Sequence, residues 1–248
     1  LCYYDGANAN AILGHCRPGK MGFDVIHFNV HKTFSTPHGG GGPGAGPVGV
    51  KKELEEFLPV PVIEKDGDKF HLNYDKEYSI GKMKNFYGHF AVLVRTYSYI
   101  LSMGSDGLKQ ASERAVLNAN YLFHLVKDYY NVPVDTLYKH EFVLGGLKDY
   151  EKSGVTTLDV AKGLIDRGFH PPTVYFPLIV NEALMVEPTE TESKESLEEF
   201  AAALIDIAKT AKENPESLKK SPLTTDVSRP DETLAARKPI VRYEKEAE

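Results

Sequence analysis

The hydrophobic and polar positions along the first sixty residues predict strands separated by loops. Two short apolar runs and one alternating run are typical of strands, and they cover residues 1–4, 23–30 and 48–50. Asp5 directly follows the first strand, and Lys32 follows the alternating one. Because ligands bind at the carboxyl ends of strands in open α/β sheets, these two side chains are expected at the same rim. A short charged helix is expected at 51–57.

After Pro59 the pattern changes to that of an α+β region. A hairpin is expected at 60–73, helices at 85–103, 107–130 and 158–167, and strands at 141–144, 175–180 and 183–186. Thr189 and Glu192 have the spacing of a capping box, and an amphipathic helix is expected after them. The polar tail from Asn214 is expected to be extended. The pattern therefore predicts three regions, which are 1–59, 60–213 and 214–248.

Composition and charge narrow the classes of partner. A net charge of −6, without a clustered basic stretch, argues against a nucleic acid. The longest apolar stretch, residues 86–103, contains His89 and Arg95, so no membrane span is expected. Cys2 and Cys16 are too few for a disulfide framework and indicate thiols in a reducing compartment. The first residues lack both an initiator Met and a signal-peptide pattern, so the chain is expected to begin inside a longer one.

Residues 27–44 carry the densest chemical signal. A lysine that condenses with an aldehyde works best as a free base near other cations or in an apolar pocket, and Lys32 beside His31 has such a setting. An arbitrary lysine at a strand end faces solvent far more often. Asp5 has two interpretations from the residues alone. It could hold a ring nitrogen of a flat cofactor, for which Gly6 and Ala7 leave room, or it could cap a helix or an Asx turn.

Three motifs, in this order along the chain, resemble one family of enzymes. They lie at residues 5–7, 29–33 and 37–44, and further matches lie at 168–173, 184–194 and 222–243. Together they resemble the P-protein of the glycine cleavage system, a pyridoxal-phosphate-dependent glycine decarboxylase. The similarity covers nearly the whole chain, and the set is far more specific than the dipeptide of His31 and Lys32 would be alone.

The resemblance implies a fold and a set of site residues. The fold is α/β, that of the fold-type-I pyridoxal-phosphate-dependent transferases, with an incomplete large domain followed by a small α+β domain. Lys32 would be the catalytic residue and would bind pyridoxal 5'-phosphate covalently. The other cofactor-binding residues would be Asp5 at the pyridine nitrogen, Ala7 on the ring, and Asn29 and His31 near the phosphate.

The resemblance also implies the reaction and the partners. Glycine would lose its carboxylate as carbon dioxide, and its aminomethyl group would pass to lipoamide on a lipoylated H-protein, which makes the enzyme an oxidoreductase. An amino-terminal P-protein subunit, or a missing amino-terminal half, would supply the family's phosphate-gripping loop and ring-stacking residue, and the assembly would be a heterotetramer. The location would be the cytoplasm in a prokaryote and the mitochondrial matrix in a eukaryote.

Two other functions stay open. Amino-acid decarboxylases, desulfurases and aminotransferases share the fold, and a His-Lys pair also suits the amino-acid decarboxylases. The glycine-rich loop at 39–44 and the motif at 188–194 favour the P-protein over them. A non-catalytic fragment would instead fold as an interaction subunit without holding the cofactor.

Weaker support attaches to several further residues. His38, His170 and Arg95 are candidate substrate contacts; Arg95 lies in an apolar helix with surroundings expected to be buried, and a structural ion pair is its alternative role. Residues 14–21 have the spacing of a P-loop, but Met21 replaces the hydroxyl residue that would bind magnesium. No metal is expected, because paired zinc-ligand spacing is missing from the nearby set, which is His15, Cys16, His31 and His38.

Overall fold

The computed structural model describes residues 1–85 and 88–243. They belong to two compact units, Leu1–Val116 and Leu117–Glu248. Each unit has its own sheet, and each is described by itself below. Among the described residues, no helix combines the length and the apolar composition that crossing a membrane requires.

The first unit is built on a three-stranded mixed sheet. Its strands are β1 (Tyr3–Gly6), β2 (Val25–Phe28) and β3 (Val48–Val50), in the order β1-β2-β3. β1 and β2 are parallel, with Asp5 opposite His27, and β3 is antiparallel to β2. The three predicted strands are confirmed with shifted ends. β1 includes Asp5, and β2 ends at Phe28 rather than at residue 30, because the chain turns there into the one-turn helix α1 (Val30–Thr33).

Turns and short helices complete this part of the first unit. The helix expected at 51–57 is a 3-10 helix over Lys52–Phe57, and two further 3-10 helices cover Pro18–Met21 and Gly39–Gly41. The predicted hairpin is present as β4 (Val62–Asp66) and β5 (Lys69–Asn73). Its two-residue turn places Gly67 at φ 57°, a left-handed conformation that glycine adopts without strain.

The two helices expected at 85–103 and 107–130 form one long element, α2 (Phe90–Val126), which is interrupted at Gly104. Gly104 has φ 62° and ψ −177°, a backbone conformation that is closed to other residues and breaks the helical geometry between the two predicted helices. The predicted start was wrong, since α2 begins at Phe90. Phe86, where the apolar stretch begins, lies outside the described residues.

The second unit contains an antiparallel sheet covered by helices. Its strands are β6 (Phe142–Gly145), β7 (Thr173–Val174) and β8 (Ala183–Val186), in the order β6-β8-β7. Its remaining helices are α3 (Tyr150–Ser153), α4 (Thr157–Asp166), α5 (Lys194–Glu213), α6 (Pro215–Lys219) and α7 (Glu232–Arg237).

One hydrophobic core holds the second unit together. α5 buries the face predicted for it, which includes Leu197, Ala201, Leu204 and Ala208. The fully buried Tyr130 keeps its hydroxyl satisfied by donating a hydrogen bond to the Leu204 carbonyl at 2.9 Å. Burial raises the pKa of this phenol, so it stays protonated in the core.

Three local predictions in the second unit were wrong. The strand expected at 175–180 is a set of turns in which Tyr175 has φ 58°, and only the two residues of β7 precede it. α5 is capped by Ser193, whose hydroxyl accepts the Ser196 N–H, and not by the expected box at 189–192. The tail from residue 214 is not extended throughout, because it contains α6 and α7.

The capping box that the structure does contain lies at the start of α4. Thr156 accepts the Asp159 N–H, and the Asp159 carboxylate accepts the Thr156 N–H. Asp159 is only 4% exposed, and its other carboxylate oxygen is 2.7 Å from Arg229 of the tail. The C-terminal segment is therefore bound to the helix start by an ion pair in which the carboxylate is buried and the arginine is partly open to solvent.

Candidate active site

Lys32 lies on the one-turn helix α1, directly beyond the carboxyl end of β2. The sequence placed it at the strand end; the structure corrects this, because β2 stops at Phe28 and Asn29 leads into the helical turn. The Lys32 side chain is exposed, and its Nζ makes no hydrogen bond or ion pair with any described residue. A free amine at a strand rim is the arrangement that a covalent cofactor site needs.

Two segments of chain hold α1 in place. On one side, the buried Thr33 hydroxyl accepts the Ala9 N–H at 3.0 Å, which ties the helical turn to the loop after β1. On the other side, the Val30 N–H donates to the Ala45 carbonyl at 3.0 Å, and the Ala45 N–H donates to His31 Nδ1 at 3.2 Å. The His31 ring therefore keeps its proton on Nε2 when neutral.

Asp5 lies on the strand next to the one that leads to Lys32, as expected. Its side chain is exposed, its Oδ1 accepts the Ala7 N–H at 2.9 Å, and the same oxygen lies 3.4 Å from His27 Nε2. The bond to Ala7 forms the Asx turn that the sequence left as an alternative. The other carboxylate oxygen makes no hydrogen bond with the described residues, so the turn leaves it open to a ligand.

Sequence reasoning missed His27 and Tyr3. His27 lies opposite Asp5 in the parallel ladder, and its Nδ1 is hydrogen-bonded to the Tyr3 hydroxyl at 2.6 Å. The register of β1 and β2 could have revealed this, because parallel strands that end at one rim place equivalent positions side by side. The three side chains form a polar row on the exposed face of the sheet.

The structure gives Gly6 a different role from the one that the sequence suggested. A Cβ on Gly6 would lie 2.2 Å from the His27 carbonyl oxygen, so only glycine allows β1 to approach β2 this closely. Room for a flat ring is therefore not needed to explain Gly6. Ala7, which is half-buried, remains the residue beside Asp5 that could pack against a ring.

The glycine-rich loop packs against the residues expected near a phosphate. A Cβ on Gly46 would lie 2.8 Å from the Phe28 carbonyl oxygen and 3.5 Å from Asn29 Oδ1, and one on Gly44 would lie 3.6 Å from the His31 ring. The rings of His31 and His38 are 4.9 Å apart. The structure therefore brings Asn29, His31 and His38 together next to Lys32.

Thr36 is a further polar residue that sequence reasoning missed. It is 7% exposed, and its Oγ1 has no hydrogen-bond partner among the described residues. Burial of an unpaired hydroxyl costs about 1–3 kcal/mol. No periodic pattern marks such a residue, since a hydroxyl is tolerated at the surface and in the core alike.

Arg95 and His170 are two further candidate substrate contacts, and each is described within its own unit. Arg95 lies on α2 and is exposed, so the expectation of buried surroundings was wrong, and it forms no ion pair with a described residue. His170 belongs to the second unit, where it lines a cavity of about 270 Å³. The other residues of that cavity include Phe169, Pro172 and Phe200.

An ion pair lies at the amino ends of β1 and β2, where the antiparallel β3 ends, and so away from the rim with Lys32. Lys51 Nζ is 2.9 Å from Asp24, and this hydrogen bond is the largest of the effects that hold the pKa of Asp24 below its usual value. The same contact raises the pKa of Lys51. Asp24 also accepts the Cys2 N–H at 2.7 Å, which fixes the start of β1.

Comparison with known proteins finds one group of similar sequences. A family model described as glycine dehydrogenase, C-terminal domain, matches residues 111–225. The chain is 66% identical over 99% of its length to a probable glycine dehydrogenase (decarboxylating) subunit 2 from Caldanaerobacter subterraneus subsp. tengcongensis, and 64% identical over 99% to one from Alkaliphilus oremlandii. It spans about half of these relatives, 50% of each.

Solved structures show the fold. Glycine decarboxylase (P-protein) of the glycine cleavage system, in inhibitor-bound form, matches with a TM-score of 0.64 and 21% identity over 77% of this chain and 45% of that one. The apo cysteine desulfurase of Thermococcus onnurineus NA1 matches with a TM-score of 0.61 and 15% identity over 84% and 52%. The fold is that of the fold-type-I pyridoxal-phosphate-dependent enzymes, as the sequence predicted.

Proposed function

We propose that the chain, which is 66% identical to a probable glycine dehydrogenase (decarboxylating) subunit 2 and spans about half of that relative, is the lysine-bearing part of a pyridoxal-phosphate-dependent glycine decarboxylase. One observation carries this proposal most directly. Lys32 presents an amine without a partner among the described residues at the rim where Asp5 presents an open carboxylate oxygen. A lysine for the covalent bond and a carboxylate for the pyridine nitrogen are a pair of side chains that suits a pyridoxal-phosphate site.

The residues present fit this cofactor. Lys32 would bind it covalently, and the open oxygen of Asp5 would hold a proton on the pyridine nitrogen, with Ala7 against the ring. His31 has a ring proton on Nε2 that it can donate to a phosphate oxygen, because its Nδ1 already accepts the Ala45 N–H. Asn29 and the buried Thr36 hydroxyl could supply further polar contacts beside it.

When bound, pyridoxal phosphate supplies an electron sink for the pair left on the α-carbon of glycine when carbon dioxide departs. Asp5 would support this by holding a proton on the ring nitrogen, and His27, whose Nε2 is 3.4 Å from the same carboxylate, would help to orient that carboxylate. Lys32 would hold the cofactor covalently, and its amine, when not so engaged, would be placed to move protons at the rim.

The acceptor and the partners belong to the same proposal. Glycine would give up carbon dioxide and transfer its aminomethyl group to one sulfur of a lipoyl disulfide on an H-protein, while the other sulfur takes a proton. The disulfide is thereby reduced, which balances the oxidative loss of carbon dioxide. The remaining half of the enzyme would add the missing cofactor contacts as an amino-terminal partner in a heterotetramer, and the bacterial relatives favour a cytoplasmic location.

Reduction with borohydride tests the role of Lys32. The chain is incubated with pyridoxal phosphate, alone and with the amino-terminal partner subunit of a relative, then reduced and mapped by peptide mass. A phosphopyridoxyl group on Lys32 is expected because its unpaired amine lies at the strand rim that also carries the open carboxylate oxygen of Asp5. Lys32→Arg should lose the label, and the control Lys20→Arg, which changes an exposed lysine of the same unit, should keep it.

The outcomes separate the possible functions. Label on another lysine would contradict the assignment of Lys32, and no label even with the partner would indicate a non-catalytic chain. Release of carbon dioxide from glycine in the presence of lipoamide, compared with release from larger amino acids, then distinguishes a glycine decarboxylase from another enzyme of the same fold.

A further inference from the structure

A cluster of three potential metal ligands lies in the second unit, at the edge of its sheet. His140 and Glu141 directly precede β6, and Glu187 directly follows β8. One ligand atom from each residue lies within 4.8 Å of those of the other two. His140 Nε2 is 3.8 Å from the Glu141 carboxylate, which is too far for a hydrogen bond.

His140 is the residue in this cluster that needs an explanation. It is 7% exposed, and neither of its ring nitrogens has a hydrogen-bond partner among the described residues. A buried imidazole without partners is destabilising, since it has lost water without gaining another contact. A cation beside it would use the lone pair of one nitrogen.

The two carboxylates point to the same conclusion independently. β6 and β8 pair Phe142 with Val186, and the register continued by one residue places Glu141 opposite Glu187. Like charges that face each other across two strands repel and destabilise a sheet. A divalent cation between them turns this repulsion into attraction.

We propose that His140, Glu141 and Glu187 bind a divalent metal ion, and that zinc is the ion whose chemistry the set fits best. One imidazole and two carboxylates are a ligand set that zinc accepts at bond lengths of about 2.0–2.2 Å. The ligand atoms of a tetrahedral site with these bond lengths lie about 3.4 Å apart. Rotamer changes of about 1 Å would therefore bring the three side chains onto one ion. The fourth position is left for water.

The location gives the ion a defined neighbourhood. Glu187 also lines the cavity that contains His170, so an ion held by Glu187 lies at the wall of that cavity. The ion also joins the start of β6 to the end of β8, two positions that are distant in sequence. The three residues all belong to the second unit, whereas Lys32 belongs to the first, and the proposal does not depend on the proposed decarboxylase activity.

Zinc titration of the full chain, after treatment with a chelator, tests the proposal. Competition with a chromophoric chelator should show one tight site per chain, and magnesium should not compete, because it binds imidazole poorly and gives up its water reluctantly. His140→Asn and Glu187→Gln should each weaken zinc binding by about tenfold or more. Glu187 is exposed, so its variant keeps the measurement informative if the buried His140 variant fails to fold.

Two matched controls guard against general affinity for histidine or acidic residues. His71→Asn changes a histidine that also lies 3.8 Å from a glutamate, Glu64, but is exposed and has no third ligand. Glu190→Gln removes a nearby carboxylate outside the cluster. Both controls should bind zinc like the unmodified chain. Equal zinc binding by the Glu187 variant and the unmodified chain, or loss of the site in the His71 variant, would overturn the proposal.

Discussion

At the residue scale, the types of side chain at the candidate site could be predicted, but their contacts could not. Lys32, Asp5 and His31 were identified because strand ends and a specific motif marked them. The partners of these residues, such as Thr33 for Ala9 and His27 for Asp5, depend on register and burial, which the sequence does not display. Gly6 shows the difference well, since its role as a close-contact residue became visible only in the geometry.

Replacement of Gly6 by alanine is expected to destabilise the first unit. The new Cβ would lie 2.2 Å from the His27 carbonyl oxygen, which forces the strands apart at the candidate site, at a cost of about 1–3 kcal/mol. Thermal unfolding measures the effect. Gly19→Ala is the matched control, because a Cβ on Gly19 meets no atom within 4 Å. Equal melting temperatures of the two variants would show that the strands adapt without strain.

At the scale of elements, periodicity predicted most helices and strands, and glycine and turn chemistry determined the errors. The break in α2 at Gly104 falls between the two predicted helices, because this glycine interrupts both the apolar pattern of the sequence and the helical backbone. The prediction of a strand at 175–180 was wrong because Tyr175 adopts a left-handed backbone conformation. The apolar residues around it give no sign of this in the sequence. The capping box predicted at 189–192 was wrong because Ser193 caps the helix instead.

The ion pair between Arg229 and α4 is expected to stabilise the second unit. Arg229→Ala leaves the buried Asp159 carboxylate without its cation and removes bonds to the Ser221 and Leu218 carbonyls. We expect a loss of about 1–3 kcal/mol, which lowers the melting temperature by about 2–4 °C for each kcal/mol. Arg237→Ala in α7 is the control, because Arg237 is exposed and forms no ion pair with a described residue. An unchanged melting temperature for Arg229→Ala would mean that the tail is not held by this contact.

At the scale of the whole molecule, the order of the motifs along the chain predicted the fold type, and comparison with solved structures confirmed it. This was possible because the motifs extend over both units. Exposure was harder to predict, as the exposed Arg95 shows, since an apolar stretch indicates a helix without showing which of its faces is covered. α2 carries several exposed apolar side chains among its first residues, including Phe90, Tyr97 and Leu101.

The acid stability of the second unit should depend on Asp166. Burial raises the pKa of this carboxyl, but hydrogen bonds from Ser221, Leu223 and Thr224 outweigh it, and the net pKa is lowered. A lowered folded-state pKa stabilises the fold above the unfolded pKa, near 3.9, and this contribution disappears as the pH falls through the folded value.

Asp166→Asn should therefore lower the melting temperature at neutral pH, and the difference from the unmodified chain should shrink as the pH falls from about 5 to about 3. Melting curves across this range measure it. The control is Asp226→Asn, which removes an exposed carboxylate from the tail that Asp166 contacts. A difference that stays constant with pH would assign the effect to packing rather than to charge.

The short helix α1 has a consequence for how the candidate site responds as a unit. Four residues are too few for a stable isolated helix, so α1 depends on its contacts with the loop at Ala9 and with the glycine-rich loop at Ala45. Displacement of the glycine-rich loop would release the Val30 and His31 contacts together and loosen the turn that carries Lys32. A ligand that binds the glycine-rich loop would therefore also change the position of the Lys32 amine.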